Sequence, residues 1–170
     1  MVSSGRRRQS CAGEKGGSET GPSPVDRARS GSKHHLLVDA TGIPLAWTVT
    51  GGNRNDSTQL IPLLDRVPPV GGKPGRPRRR PDRLCADRGY DYDSRRHELR
   101  QRGITPEIAR RKTEHGSGLG RYRWVVERTF AWLHQFKRLL VRYDRRHDIH
   151  EAFLALGCCL VCFRRLQPSF

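Results

Sequence analysis

Two acidic residues of this chain stand where a divalent cation could be held. The first is Asp87, in Ala86-Asp87-Arg88-Gly89-Tyr90-Asp91, where an apolar run ends in a carboxylate and a glycine turn. Ligands of α/β sheets gather outside the carboxyl ends of strands, which places Asp87 for a metal. The same position also suits an aspartate that only caps a turn. The second is Glu127, inside Arg121-Tyr-Arg-Trp-Val-Val-Glu-Arg-Thr-Phe-Ala-Trp-Leu133. At helical spacing Glu127 falls at the border of the apolar face, with Arg123 and His134 on the same edge. A border glutamate can turn inward to an ion, or pair with Arg123 on the surface. Hard cations prefer carboxylate oxygens.

Charge names the partner class. Lys and Arg number 33 against 17 Asp and Glu, a net charge of +16. That balance calls for a polyanion, nucleic acid before acidic membrane. A Pro/Gly/Arg loop over residues 68–83 offers Arg76, Arg78, Arg79 and Arg80 as phosphate contacts. A second run, Arg110-Arg111-Lys112, precedes the Glu127 helix, and Arg123 lies on it. Such contacts give salt-sensitive binding and position a duplex without reading its sequence. Trp124 and Trp132 are candidates for stacking on bases, though core packing suits at least one of them. No apolar run is long enough to span a bilayer. The five cysteines, three of them at 158, 159 and 162, do not form a disulfide framework and suit a reducing compartment. Their apolar neighbours favour buried thiols in a helix; His147 and His150 would be the partners of a zinc site.

The elements that must position these residues follow from pattern. His34–Asp39 and Ile43–Thr50 read as a hairpin closed by Ala40-Thr41-Gly42. Asn55 or Asp56 caps a helix through Leu60 and Leu64. Short strands are expected at 83–87 and 104–109, with a helix at 93–102 between them. The strongest helical period runs from Arg121 to Val141 through Val126, Phe130, Leu133 and Leu140, and a last helix runs from about Ile149 to Leu166. This order predicts a mixed α/β sheet with helices packed on it.

Taken in order, Asp-Arg-Gly-Tyr-Asp and Tyr-Arg-Trp-Val-Val-Glu-Arg-Thr-Phe-Ala-Trp-Leu resemble the second and third acidic motifs of bacterial insertion-sequence transposases of the DDE (Asp-Asp-Glu) type. Gly31-Ser-Lys-His-His-Leu-Leu-Val-Asp-Ala-Thr-Gly-Ile-Pro-Leu and Gly51-Gly-Asn-Arg-Asn-Asp are similar to that family too. The likeness covers roughly residues 14–166. A basic RNA-binding protein would not explain both acidic motifs in this order. The resemblance implies a ribonuclease-H-like fold, a mixed sheet with flanking helices. In it, three carboxylates hold two divalent ions, Mg²⁺ or Mn²⁺, for hydrolysis and strand transfer at the ends of an insertion sequence. Carried over, Asp87 is the second carboxylate and Glu127 the third. Two departures are mild: Gly120 stands where the family often has Tyr, and His134 where it commonly has another basic residue. The third bears on chemistry. The family's first Asp lies on the first strand, commonly as Asp-Ser-Ser, and here the similar residues are Val2-Ser3-Ser4. The expectation is therefore a flexible basic arm over 1–32 and a catalytic domain over 33–166, truncated on its N-terminal side, with its first strand missing or incomplete. Asp39 is a candidate substitute ligand. The function implied is DNA transposition; the alternative is a catalytically inactive remnant that only binds DNA. Double-stranded DNA is the partner expected, with a homodimer in the DNA complex, no membrane, and a cytoplasmic, nucleoid-associated location.

Overall fold

The computed structural model describes residues 2–4, 10–13, 17–23, 28, 30–72, 74–112 and 120–166, the first two segments and residues 120–122 by backbone only. A mixed sheet forms the middle layer. Its long hairpin pairs β4 (Ser30–Val38) with β5 (Pro44–Gly51). Asp39 turns the chain: its Oδ1 accepts from the Thr41 and Ile43 amides at 2.8 and 2.9 Å, and Gly42 takes the positive φ of 90° that suits a residue without Cβ.

The first strand is present, in two pieces. β1 (Val2–Ser4) and β2 (Ser10–Gly13) both run antiparallel to β4, β1 against Leu36–Val38 and β2 against Gly31–Lys33. A two-residue β3 (Gly21–Pro22) joins the start of β4. So the expected arm over 1–32 contributes three strands to the sheet, and β4 starts at Ser30 rather than Lys33. Local composition hides this, because the pairing that orders Gly/Ser/Arg-rich segments lies far along the chain.

On its other side β1 lies parallel to β6 (Arg83–Ala86), which is parallel to β7 (Thr105–Ile108). Across the centre the order is β5, β4, β1, β6, β7. On one face, α1 (Leu60–Asp65) and α2 (Asp93–Gln101) cover Leu37, Ala46, Leu84, Ala86 and Ile108. Asn55 caps the 3-10 turn that leads into α1, as its sequence predicts. On the other face, α3 (Gly120–Leu133), α4 (Lys137–Leu140) and α5 (His147–Leu166) cover Leu36, Val38, Val49 and Cys85.

The helix expected over 121–141 stops at Leu133. The Phe136 backbone is extended, with φ −80° and ψ 113°, so the chain redirects there into α4. Leu139, not Leu140, then enters the core, and Leu140 is 52% exposed. The redirection frees β8 (Val141–Arg142) to pair in parallel with Ala12–Gly13. Arg142 follows into the interior, 1% exposed, and its guanidinium donates to the carbonyls of Ser18, Glu19 and Asp144 and to Ser32 Oγ.

Candidate functional site

Strand alternation fixes where Asp87 points. Leu84 and Ala86 face α1 and α2, whereas Cys85 faces α3 and α5. The Asp87 backbone stays extended, with φ −75° and ψ 175°, so its side chain continues on the Cys85 face, the α3 face. Val2, paired with Val38 and Cys85, occupies a register position of that same face. α3 packs against β1 and β6 and carries Glu127 on the edge of its buried side, between buried Val126 and Thr129. Asp87 and Glu127 therefore belong to one layer. Each also does the simpler job its position allows. Asp87 Oδ1 accepts from the Gly89 amide at 2.8 Å, capping a 3-10 turn. Glu127 Oε1 accepts from Arg123 Nε at 3.0 Å across one helical turn, with both side chains about 40% exposed.

The turn after Asp87 is held by residues the sequence pattern did not single out for this. Arg96, 6% exposed, donates Nε and a terminal NH2 to Asp91 Oδ1 at 2.8 and 2.7 Å, and donates to the Ile108 carbonyl. Burial works to raise the Asp91 carboxyl. The Arg111 amide and the Arg96 guanidinium outweigh it and hold the group below the usual carboxylate range. Gly89 has room for that cap because it lacks Cβ: one placed there would sit 2.9 Å from Asp87 Oδ1.

The basic candidates separate into two groups. Arg111 also has a local role: its guanidinium donates to the carbonyls of Arg88 and Gly89 at 3.0 and 2.9 Å and lies over the Tyr92 ring, so it holds the Asp87 turn. Arg110 pairs with Asp93, Arg78 with Asp82, and Arg80 donates to the Arg102 carbonyl. Arg76, Arg79 and Lys112 are exposed. Arg79 and Arg80 line an open cleft of about 390 Å³ with Leu64, Val67 and Pro81. This cleft lies where β6 begins, whereas Asp87 follows its end. The four residues of β6 separate them by roughly 13 Å, within the width of one duplex.

Other candidates move. Asp39 is not a substitute ligand. Ser4 pairs with Leu36 and is level with Asp87, one step beyond the Ser3–Ala86 pair. Asp39 lies three residues further along β4 and two strands over, roughly 14 Å away, with its Oδ1 taken up by the hairpin turn. His134 does not line the Glu127 edge; it follows the end of α3 and its ring packs on Phe130 and His34. His150 is fully buried and shares a 2.8 Å hydrogen bond with His34 Nε2, which removes it from any zinc set with the cysteines. Of those cysteines Cys158 is buried and Cys159 exposed. Trp132 packs on the core, and Trp124 is 50% exposed beside Arg128, whose guanidinium lies between the two indoles at 4.4 and 4.8 Å.

As a metal site the donor set is partial. Asp87 and Glu127 supply hard oxygen donors, but among the described residues no three of His, Cys, Asp and Glu are grouped to hold an ion. At the β1 positions beside them stand Val2, Ser3 and Ser4.

Known proteins agree with the motifs. The family described as the transposase DDE domain matches residues 8–162. A protein of Burkholderia cepacia described as a proposed transposase for insertion sequence element IS402 is 61% identical over 151 residues, 89% of this chain and 72% of that protein. A transposase for insertion sequence element IS1106 of Neisseria meningitidis serogroup B is 27% identical over 115 residues, 62% of this chain and 36% of that protein. With the family matched over nearly its whole length and a relative at this identity, the chain belongs to the DDE transposase domain family, whose work is the transposition of insertion sequences.

Proposed function

We propose that this chain is a ribonuclease-H-like transposase domain that engages the DNA ends of an insertion sequence. In this reading Asp87 and Glu127 are the second and third carboxylates of a Mg²⁺ or Mn²⁺ site. What supports it is the family match over residues 8–162, with Asp87 following the end of β6 and Glu127 on α3, the helix that packs against β1 and β6. Divalent ions would supply charge neutralisation and an activated oxygen nucleophile. This chain's own groups do the rest. Arg76, Arg78, Arg79, Arg80, Arg110, Arg111, Lys112 and Arg123 meet phosphates on double-stranded DNA, Arg123 also orients Glu127, and Arg96 with Arg111 fixes the turn that presents Asp87. We further propose that residues 33–166, completed by strands β1 and β2, form the catalytic domain, and that it works in the bacterial cytoplasm on the nucleoid. No helix among the described residues is long and apolar enough to cross a membrane.

A second reading follows from the donor set. With Val2 where the family carries its first Asp, the chain binds DNA ends but cleaves them poorly. Mobility shifts on duplexes carrying the element's terminal repeats test the first part, with salt-sensitive binding expected. Calorimetric titration with Mn²⁺ tests the site: weak binding of about one ion is expected, lost in Asp87→Asn. Salt-independent DNA binding, or Mn²⁺ binding indifferent to Asp87→Asn, would overturn the corresponding part.

A further inference from the structure

The basic loop before β6 carries a finger with no role inside the molecule. Val70 and Arg78 exchange both backbone hydrogen bonds, at 2.8 and 2.9 Å, and close it at its base. The described residues beyond that pair, Gly71, Gly72, Pro74, Gly75, Arg76 and Pro77, are all exposed. A Cβ added at Gly71, Gly72 or Gly75 would meet nothing within 4 Å, so these glycines make room for no neighbour in this chain. Gly75 takes a φ of 115°, which keeps the position beside Arg76 free of a side chain. Pro77 fixes its own φ and disfavours a helical turn at Arg76. Arg78 pairs with Asp82 and Arg80 donates to the Arg102 carbonyl, whereas Arg76 has no ion pair or hydrogen bond among the described residues. From Val67 to Pro81 the sequence holds no acidic residue. The side chains of 71–77 that can hydrogen-bond, a lysine and an arginine, only donate.

We propose that this finger enters the minor groove of duplex DNA, with the Arg76 guanidinium on the groove floor, and that it selects A·T-rich pairs. Width fits first. The minor groove is about 6 Å across, room for narrow backbone with one long side chain. Chemistry decides the rest. A·T pairs line that floor with acceptors only, adenine N3 and thymine O2. A G·C pair adds the guanine 2-amino donor, which a donor-only tip cannot satisfy. A·T tracts also narrow the groove and deepen its negative potential, which draws an arginine inward. Arg79 and Arg80 stay on the phosphates, and Arg76 passes between the two phosphate rows to the bases. In the major groove a lone arginine would favour guanine, the opposite preference. The finger leads into the start of β6, roughly 13 Å from Asp87 along that strand. Residues 76–83 add at most about 23 Å. The pairs read therefore lie within about one helical turn, roughly 34–36 Å, of the bond offered to Asp87 and Glu127. That use rests on the function proposed above, of which the groove preference needs only the binding of duplex DNA.

Fluorescence anisotropy of the whole chain with three duplexes of about 20 base pairs, in about 0.15 M salt, tests it. The duplexes share their flanks and differ in a central tract of A·T, G·C or inosine·C pairs. Inosine keeps the major-groove face of guanine but lacks its 2-amino group, so it gives G·C an A·T-like minor groove. The expected result is binding to the A·T and inosine·C tracts about tenfold tighter than to G·C. Arg76→Ala changes an exposed position, so it should leave thermal unfolding unchanged while bringing the three affinities together. Arg79→Ala should weaken all three alike, as loss of a phosphate contact does. Equal affinities for the wild-type chain would overturn the proposal and leave the finger on the phosphates. An inosine·C tract that binds as G·C does would overturn it too, and would move the finger to the major groove. A preference that survives Arg76→Ala would assign the reading to another part of the chain and overturn this one. No salt-sensitive binding to any duplex would sink the functional reading and the proposal together, whereas binding without preference sinks the proposal alone.

Discussion

Val2→Asp should turn a weak or inert chain into a measurable nuclease. The β1–β6 register sets Val2 opposite Cys85, two residues before Asp87, on the α3 face. One strand spacing of about 4.8 Å and two residues of about 3.3 Å put the two Cα atoms roughly 8 Å apart. Two carboxylates on such Cα atoms, on one face, can converge on ions that sit about 2.0–2.1 Å from each oxygen. A missing carboxylate withdraws one unit of negative charge from the place where two divalent cations must be held. If that costs about 4 kcal/mol at the transition state, cleavage rises about a thousandfold on restoring it. The assay is Mg²⁺- or Mn²⁺-dependent nicking of a plasmid bearing the element's ends, comparing the natural chain, Val2→Asp, and Val2→Asp with Asp87→Ala. Activity in Val2→Asp alone is expected. Robust nicking by the natural chain, abolished by Asp87→Ala, would refute the reasoning, because two carboxylates would then suffice. A folded Val2→Asp chain that binds the ends but never nicks them would refute the register argument.

Three further outcomes are expected. Replacing Arg78, Arg79 and Arg80 with Ala should lower the slope of log K against log salt by roughly 2–3 in a mobility-shift series, since each lost phosphate contact removes about 0.9; an unchanged slope would show that the loop does not touch DNA. Arg96→Leu strands the buried Asp91 carboxylate and loosens the Asp87 turn, so it should cost about 3–5 kcal/mol in urea unfolding, and a loss below 1 would contradict the buried pair. Stability should fall with acid. Burial lowers the His35 and His150 imidazoles from the ordinary 6.5 to about 3 and about 4, and His34 is held down by burial and by His150 beside it. The unfolded chain therefore takes up protons below about pH 6.5 that the folded chain refuses, and stability drops as pH falls. For His150 alone the loss by pH 4 is roughly 3 kcal/mol. Urea midpoints that hold steady between pH 7 and 4.5 would show that these imidazoles are not buried neutral.

Much of this was legible because it is local. The 39–43 turn, the Asn55 cap and the strand end at Asp87 are each written in a few neighbouring residues, and the two acidic motifs needed only their order. The split first strand was not legible, since Ser/Gly/Arg segments become strands only through β4, β6 and β8. The break after Leu133 was hidden by adjacent Leu139 and Leu140, either of which satisfies a helical period. Arg111 read as one more cation in a basic run, because nothing in the sequence shows the carbonyls of Arg88 and Gly89 turned toward it.

The order of synthesis meets an obstacle in β1. It is made before its partners, yet its two neighbours are β4 and β6, and its continuation β2 is closed by β8 through Ala12 and Val141. A nascent chain can form the local β4–β5 hairpin early, but the centre of the sheet cannot close until β6 has left the ribosome, nor its far edge until β8 has. Contacts this distant in sequence slow folding and leave strand edges open in the meantime. Each newly made molecule thus passes through an interval in which a sticky, strongly basic chain is exposed.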